Sequence, residues 1–575
     1  VQSTPTSALT CSSAGKIVTF ALAHHLNINK LNPEIARRAL RLYLGGLIRN
    51  SFFCSEVEVG EATRSIESMA AADVLAQVNL AVSGKSCAVF ERLFAFQDTA
   101  VERAAALFRD PQTMAQMLRT KSATAKDEGE KFWYTHFLSS LLGDVAAVYD
   151  ENDSKFQYSV EDVTSFVAKR FFSKLYQLSS QTQPALKYEK MVDSILRALD
   201  PHSVYMGKSD AQLSMAADGS EFVSVGVVLG APTPLGVPID EVVEGTLLRK
   251  FGSILPGDVL THIDGKSVMG VDSQLVRIAL FGDVGSVARL TLIRAPKKDQ
   301  PFTIDALHER IEQSTVKTNL LRVPENGKSV VYIKIDYFYD ELASQIEHAL
   351  ELEMRKGAID VVLLDLRGNP GGRVLEAVRL AELFLSRGAN VLRELQAGGR
   401  IIYSNTTTRK EPLYRGPVVI ALDHGSASAT ELFTTAMRDA NRAVVVGSDK
   451  SYGKGTIQSM YDLETNRFDV PGELRFTTAQ YFSPSGKSVQ LQGVESDLEL
   501  HGEDEQMRAE RDYKNAIPIS VLPPVADPLY KVRDADRNLA MHVRTLREKL
   551  DDRMRRCVLL TEEQLISQLI EVRAD

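Results

Sequence analysis

The sequence predicts a multidomain α/β protein: a helical N-terminal region, a small β-rich domain, an α/β core of βαβ units and a helical C-terminal region. Three observations predict it. Residues 1 to 205 carry few Gly or Pro and repeat apolar side chains at helical spacing. Residues 220 to 296 change to short β-branched runs punctuated by Gly and Pro. Beyond 328, uninterrupted Val/Ile/Leu runs alternate with amphipathic stretches. At 575 residues the chain is well beyond the size at which one core stops growing, so about three or four domains are expected.

In the first region, Ile35, Ala39, Leu42 and Leu47 mark one helical face. "LNPEIARRALRLYLGG" places Asn32 at an N-cap, Pro33 at the first helical position, Glu34 in the first turn and Gly45-Gly46 at the stop. Another helix ends in "RALDPHSVYM", where Asp200-Pro201 breaks the pattern and His202 reads as a local structural histidine. The β-rich texture is carried by "FVSVGVVLG", "IDEVVEG", "GDVLTHIDG" and "SVARLTLIR", with a helix over 272–282. The core then runs "SVVYIKI", "ELASQIEHALELEMRKG", "DVVLLDL", "VLEAVRLAELFLS" and "PVVIALD", strands covered on both faces and joined by right-handed crossovers. After about 505 the chain is polar and helical, and "RTLREKLDDRMRRC" reads as a solvated face rather than a partner-binding helix.

Composition excludes several functions. A formal net charge of -8 and a pI near 5.8 argue against a nucleic-acid partner, which needs clustered Lys and Arg. No apolar run approaches the roughly eighteen residues that span a bilayer. No CxxC or Cys/His spacing suggests a metal; Cys11 paired with Cys54 or Cys87 in an exported protein, or sparse free thiols, are both open.

The chemistry concentrates in "SASATELFTTAMRDANRAVVVGSDKSYGKGT", residues 426–456. "GPVVIALD" is a buried strand, "HGSAS" the turn at its carboxyl end and "ATELFTTAMRDA" a helix. Ser426, Ser428 and Thr430 therefore sit at a helix N-terminus, where unpaired N–H groups favour an oxyanion. Ser428 with Glu431 also matches a capping box. "RAVVVGS" forms the adjacent strand and "YGKGTIQ" returns Lys454 to the same sheet edge. Burial lowers a lysine pKa, and a neutral amine can take a serine proton, with Gln458 accepting a hydrogen bond from it. "GKGT" and "SPSGKS" both fail the phosphate-loop spacing, and no histidine is placed beside Ser428, His424 being the nearest.

"DLRGNPGG", "SASATELF…AMRDANRAVVVG…YGKGTIQ" and "AQYFSPSGKSVQLQGVESD" together resemble the carboxyl-terminal processing (tail-specific) serine proteases, in their larger periplasmic branch. The resemblance runs from 199 to about 500. It implies Ser428 as nucleophile, Lys454 as base, Gln458 as its partner, and Gly371 or Gly372 with Ala429 as oxyanion donors. Asp439 is expected to give structural or catalytic support. The β-rich segment looks like the family's PDZ domain, with Val225, Gly226 and Val227 cradling a peptide carboxylate. The implied layout is a helical domain at 1–205, a PDZ domain at 215–298, a protease core at 199–214 and 299–505, and a helical domain at 506–575. The expected activity is endopeptidase cleavage of proteins with accessible apolar or unstructured C-terminal tails, with no metal or nucleotide cofactor. The expected location is the periplasm, the signal peptide lying outside this sequence, and an adaptor or self-association through the helical flanks is open. The alternative is a degenerate PDZ scaffold that binds C-termini without cleavage.

Overall fold

The computed structural model describes residues 8–522 apart from 49–53, 121–131, most of 133–140, 147–157, 180, 218–221, 295–296, 312–315, 323–328, 406–410, 467 and 501–506. Most of the C-terminal helical domain expected at 506–575 therefore lies outside the described residues.

Helix α1 (Cys11–His24) starts at Thr10, whose hydroxyl accepts from the Ser13 N–H while the Ser13 hydroxyl accepts from the Thr10 N–H. Helix α2 (Pro33–Ile48) starts where the sequence places it, with Asn32 Oδ1 accepting from the Ile35 N–H at 2.8 Å. It does not stop at Gly45-Gly46. Leu44 and Leu47 flank that pair and are both buried, so continuing the helix keeps an apolar face in the core. Helix α3 (Leu186–Leu199) completes this group.

The region expected as a helical domain at 1–205 holds two hydrophobic cores among the described residues. One gathers α1, α2, α3 and the first half of the helix Ala88–Phe108; the other gathers its second half with the helix Val160–Leu178 around Phe108, Phe137, Phe166 and Phe171. At 21 residues that helix is about 30 Å long and reaches both. Cys11 and Cys87 form a disulfide, and Cys54 is a buried free thiol. The first core also contains Tyr205, Leu463, Val470, Leu474 and Phe476, so these helices pack directly on a sheet of the α/β region.

Strand β1 (Val204–Met206) leaves α3 for that sheet. The β-rich unit follows as β2 (Val227–Leu229), β3 (Val237–Val242), β4 (Val259–Ile263), helix α4 (Ser273–Ala279), β5 (Val287–Arg294) and β6 (Lys297–Leu307). The strands pair in that order, antiparallel, which leaves β2 at an edge. The boundary expected at 298 falls inside the β5–β6 hairpin. Ala288, Leu290, Leu292 and Ala306 all bury into one core, so the hairpin cannot be divided between domains.

The α/β region contains β7 (Val316–Arg322), β8 (Ser329–Ile335), α5 (Leu342–Lys356), β9 (Val361–Asp365), α6 (Val374–Glu382), β10 (Asn390–Gln396), β11 (Ile401–Asn405), β12 (Val418–Leu422), α7 (Ala429–Asp439), β13 (Ala443–Gly447), β14 (Thr456–Asp462), β15 (Glu473–Phe482) and β16 (Leu498–Glu499). One sheet has the order β7-β8-β9-β12-β13-β16 and is parallel from β8 onward. A second, antiparallel sheet has the order β1-β15-β10-β11, with β14 also pairing with β15. Asp365 on β9 is in register with Ala421 on β12, so the loops after these two strands emerge side by side at the carboxyl edge.

Candidate active site

Ser428 is the N-cap of α7, with φ 56° and ψ −115°. A non-glycine residue in that region costs on the order of 1–3 kcal/mol and persists only when its surroundings hold it. Here the Ser428 N–H donates to Glu431 Oε2 at 2.9 Å, its carbonyl accepts from the Leu432 N–H at 2.9 Å, and the Ala427 N–H donates to the Asn369 carbonyl at 3.0 Å. Such a strand-to-helix turn presents the hydroxyl at the sheet edge.

The three hydroxyls of the motif have different fates. Ser426 is fully buried and its Oγ donates to the Leu366 carbonyl at 2.9 Å. Thr430 is also fully buried and donates to the Asn369 carbonyl at 3.2 Å. Among the described residues, Ser428 Oγ makes no hydrogen bond. The hydroxyl left for chemistry is the one the family resemblance marks as nucleophile.

Lys454 lies in the loop from β13 to β14, so it arrives at the start of a strand of the second sheet rather than at the end of β13. Glu431, fully buried on the first turn of α7, joins this loop to the serine turn. Its carboxylate accepts from the N–H groups of Ser428 (2.9 Å), Gly453 (2.7 Å) and Lys454 (2.9 Å) and from Ser451 Oγ (2.5 Å). Burial pushes the Glu431 carboxyl up to about 7 against these hydrogen bonds, which favour the charged form. The hydroxyl of Tyr481 lies 2.9 Å from the carbonyl oxygens of both Ser428 and Lys454.

Burial lowers the Lys454 pKa; the carboxylates of Glu510, Asp200 and Glu431 oppose it more weakly. Its Nζ donates to Gln458 Oε1 at 2.6 Å, the partner expected from the sequence. No hydrogen bond joins Nζ to Ser428 Oγ in this structure. The two residues are brought together through Glu431 and Tyr481, not through their side chains.

The loop "GNPGG" lies against the serine. A Cβ on Gly371 would stand 2.7 Å from Ser428 Cβ and 2.9 Å from the Ala429 nitrogen. The Gly371 N–H, however, is already donated to Asn369 Oδ1 at 2.9 Å, which leaves the Gly372 N–H as the donor of the pair. The Gly372 and Ala429 N–H groups have no acceptor among the described residues. Asn369 is fully buried and also donates to the Ile335 carbonyl at 2.9 Å, so it fixes the glycine loop to β8.

Asp439 is not in this constellation. It ends α7 and accepts from the Ser485 N–H at 2.8 Å, a structural contact. His424 pairs with Asp449 at 2.7 Å and His202 with Glu510 at 2.6 Å; neither has a contact with Ser428. In the β-rich unit, Gly226 has φ 80°, and a Cβ there would stand 2.5 Å from Thr246 Cγ2. Val225 is buried beside the Ser224–Phe281 bridge, and Val227 begins edge strand β2.

Glu431, Asn369 and Tyr481 are the site residues that sequence reading did not single out. Glu431 was visible as the fourth residue of a capping box, Asn369 as part of the glycine loop and Tyr481 inside "AQYFSPSG", none of them with a role in the site. Among the described residues no group of three or more His, Cys, Asp and Glu is placed to hold a metal ion.

Residues 329–500 match the model of Peptidase family S41. The chain is 29% identical over 318 residues to the carboxy-terminal-processing protease of Bartonella bacilliformis, covering 54% of this chain and 68% of that protein. It is 29% identical over 351 residues to the probable CtpA-like serine protease of Staphylococcus haemolyticus, covering 60% of this chain and 64% of that protein, just under two thirds. A solved photosystem II D1 C-terminal processing protease aligns over 63% of this chain and 92% of its own at 21% identity, with a TM-score of 0.32. The PDZ domain of the Vibrio cholerae carboxy-terminal protease, solved with a peptide, aligns over 16% of this chain and 99% of its own at 19% identity, with a TM-score of 0.15. At those scores neither structural likeness bears on the site.

Proposed function

We propose that this chain, whose residues 329–500 match the model of Peptidase family S41, is a Ser428–Lys454 endopeptidase that cleaves proteins presenting accessible C-terminal tails. The carrying observation is that Ser428 Oγ and the Ala429 N–H, neighbours at one helix tip, are both unspent beside a lysine whose burial favours the neutral amine.

On substrate binding the Lys454 amine takes the proton from Ser428 Oγ, and the oxygen attacks the scissile carbonyl. This step requires Nζ to come within reach of Oγ, a contact that tightens only with substrate bound. The oxyanion develops between the Gly372 and Ala429 N–H groups, and each such donor is worth on the order of 3 kcal/mol. The protonated lysine then gives its proton to the leaving amine, and water hydrolyses the acyl-enzyme by the reverse path.

The β-rich unit is proposed as a PDZ-like tail receptor. A peptide would add as a strand to the open edge of β2, its carboxylate meeting the loop of Val225, Gly226 and Val227. The Cys11–Cys87 disulfide supports an exported, periplasmic location, where such bonds persist. The helical flanks are the proposed surface for an adaptor or a second copy.

The test is digestion of casein and of a peptide with an apolar C-terminal tail by wild type, Ser428→Ala and Lys454→Ala. Both variants are expected to lose cleavage by at least about a hundredfold. Equal cleavage by all three proteins would remove the dyad, and a wild type that binds the tail but cuts neither substrate would leave only a scaffold.

A further inference from the structure

A second buried polar cluster lies behind Gln458, and its centre is outside the matched peptidase segment. Its centre is Asp200, from the "LDPHS" turn after α3, which is fully buried. Every neighbour that reaches this carboxylate is a donor. Oδ1 accepts from the His202 N–H at 2.9 Å, the Ser203 N–H at 3.1 Å and Thr477 Oγ1 at 3.0 Å; Oδ2 accepts from His25 Nε2 at 2.9 Å and from the Ser203 hydroxyl. The His25 tautomer is fixed, because Nδ1 accepts from the N–H groups of Asn27 (3.3 Å) and Ile28 (3.1 Å), leaving the proton on Nε2. Burial raises the Asp200 pKa, but the bonds from His25, Ser203 and the His202 backbone outweigh it and keep the group an anion.

An anion that only accepts gives the cluster a direction. Thr477 spends its single hydroxyl proton on Asp200, so towards Gln458 it offers only lone pairs. Gln458 Nε2 donates to Thr477 Oγ1 at 3.1 Å and to Thr456 Oγ1 at 3.0 Å, which turns its oxygen towards Lys454 Nζ at 2.6 Å. With the reverse polarity, Thr477 would donate to the amide oxygen and the amide NH₂ would face the lysine. That NH₂ would occupy the lone pair of the neutral amine and remove the base.

We propose that Asp200, held by His25 of the N-terminal helical region, is the positioning group that sets the direction of the chain Asp200, Thr477, Gln458, Lys454 and so keeps the lysine lone pair available. The proposal rests on Lys454 being the base. It makes α1 and the residues after it part of the catalytic apparatus, though they touch neither substrate nor the reacting atoms.

The experiment measures kcat and KM on a peptide substrate, with the melting temperature, for wild type, Thr477→Val, Thr477→Ser and Lys454→Ala. Valine keeps the shape and removes the hydroxyl; serine restores it. The expected result is a kcat about ten- to a hundredfold lower in Thr477→Val, within the range a general base contributes, at little change in KM, with Thr477→Ser near wild type. A wild-type kcat in Thr477→Val, or equal losses in the valine and serine variants, would overturn the proposal while Lys454→Ala stays inactive. A Lys454→Ala variant with wild-type kcat would instead sink the base reading, and this proposal with it. Should Thr477→Val not fold, the comparison moves to His25→Gln, which can still donate to Asp200, against His25→Leu, which cannot. Loss of kcat confined to the leucine variant supports the proposal, and equal activity of the two overturns it.

Discussion

Ser426 and Ser428 stand two positions apart with opposite assignments, one hydroxyl closing a buried bond to the Leu366 carbonyl and the other unpartnered at the helix tip. Ser426→Ala should leave Ser428 reactive towards a fluorophosphonate probe, while orphaning a buried acceptor and lowering stability by about 1–3 kcal/mol in urea unfolding. Ser428→Ala should abolish labelling with a much smaller loss of stability. Glu431 makes a separate, pH-dependent case. Its carboxyl titrates at about 7 in the folded protein against an ordinary 4.5, so between those values the folded state holds the proton more tightly than the unfolded chain. Stability should therefore fall as pH rises across that window and level off above it. Melting curves taken across the window should show this slope in wild type and lose it in Glu431→Gln, which cannot ionise. An unchanged slope would place the titration elsewhere.

The strand and helix elements that hold the site were legible wherever one face or both had to be apolar. "DVVLLDL" and "PVVIALD" could only be buried strands, and "ATELFTTAMRDA" only a capped helix after them. Two features were not legible. Gly45-Gly46 read as a helix stop because a local rule was applied where tertiary burial of Leu44 and Leu47 decides. The transfer of β14 to a second sheet depends on pairing with β15, which no local pattern reports. Close approach between loops is likewise non-local, and it yields a prediction at Gly371. This residue has φ 108°, and an added methyl would press on Ser428 Cβ at 2.7 Å and the Ala427 carbonyl at 2.8 Å. Gly371→Ala should lose peptidase activity by at least about tenfold and be destabilised by about 1–3 kcal/mol through strain and overpacking. Activity and urea unfolding at wild-type values would show that the loop can give way.

At the scale of the whole molecule, Ser428, Lys454 and Gln458 could be singled out from the sequence because they fall in short motifs. The groups that join them could not, because Asn369, Glu431, Tyr481 and Asp200 act across separations that sequence order hides. The disulfide pairing was open for the same reason: Cys11 and Cys87 are 76 positions apart and meet only once the first helices pack. A cross-link closing a loop of that length should contribute about 4 kcal/mol, so Cys11→Ser with Cys87→Ser should unfold at markedly lower denaturant than wild type. Coincident unfolding curves would show that the helices hold together without it.

Beneath those helices, Leu463, Val470, Leu474 and Phe476 lie against α1, α2 and α3. Cutting out residues 329–500 as a free-standing cassette would strip the lining from one side of the second sheet and expose a greasy wall to water. Such a fragment should clump rather than digest anything, so the hydrolytic segment is not portable and inherits its helical upholstery wherever it goes.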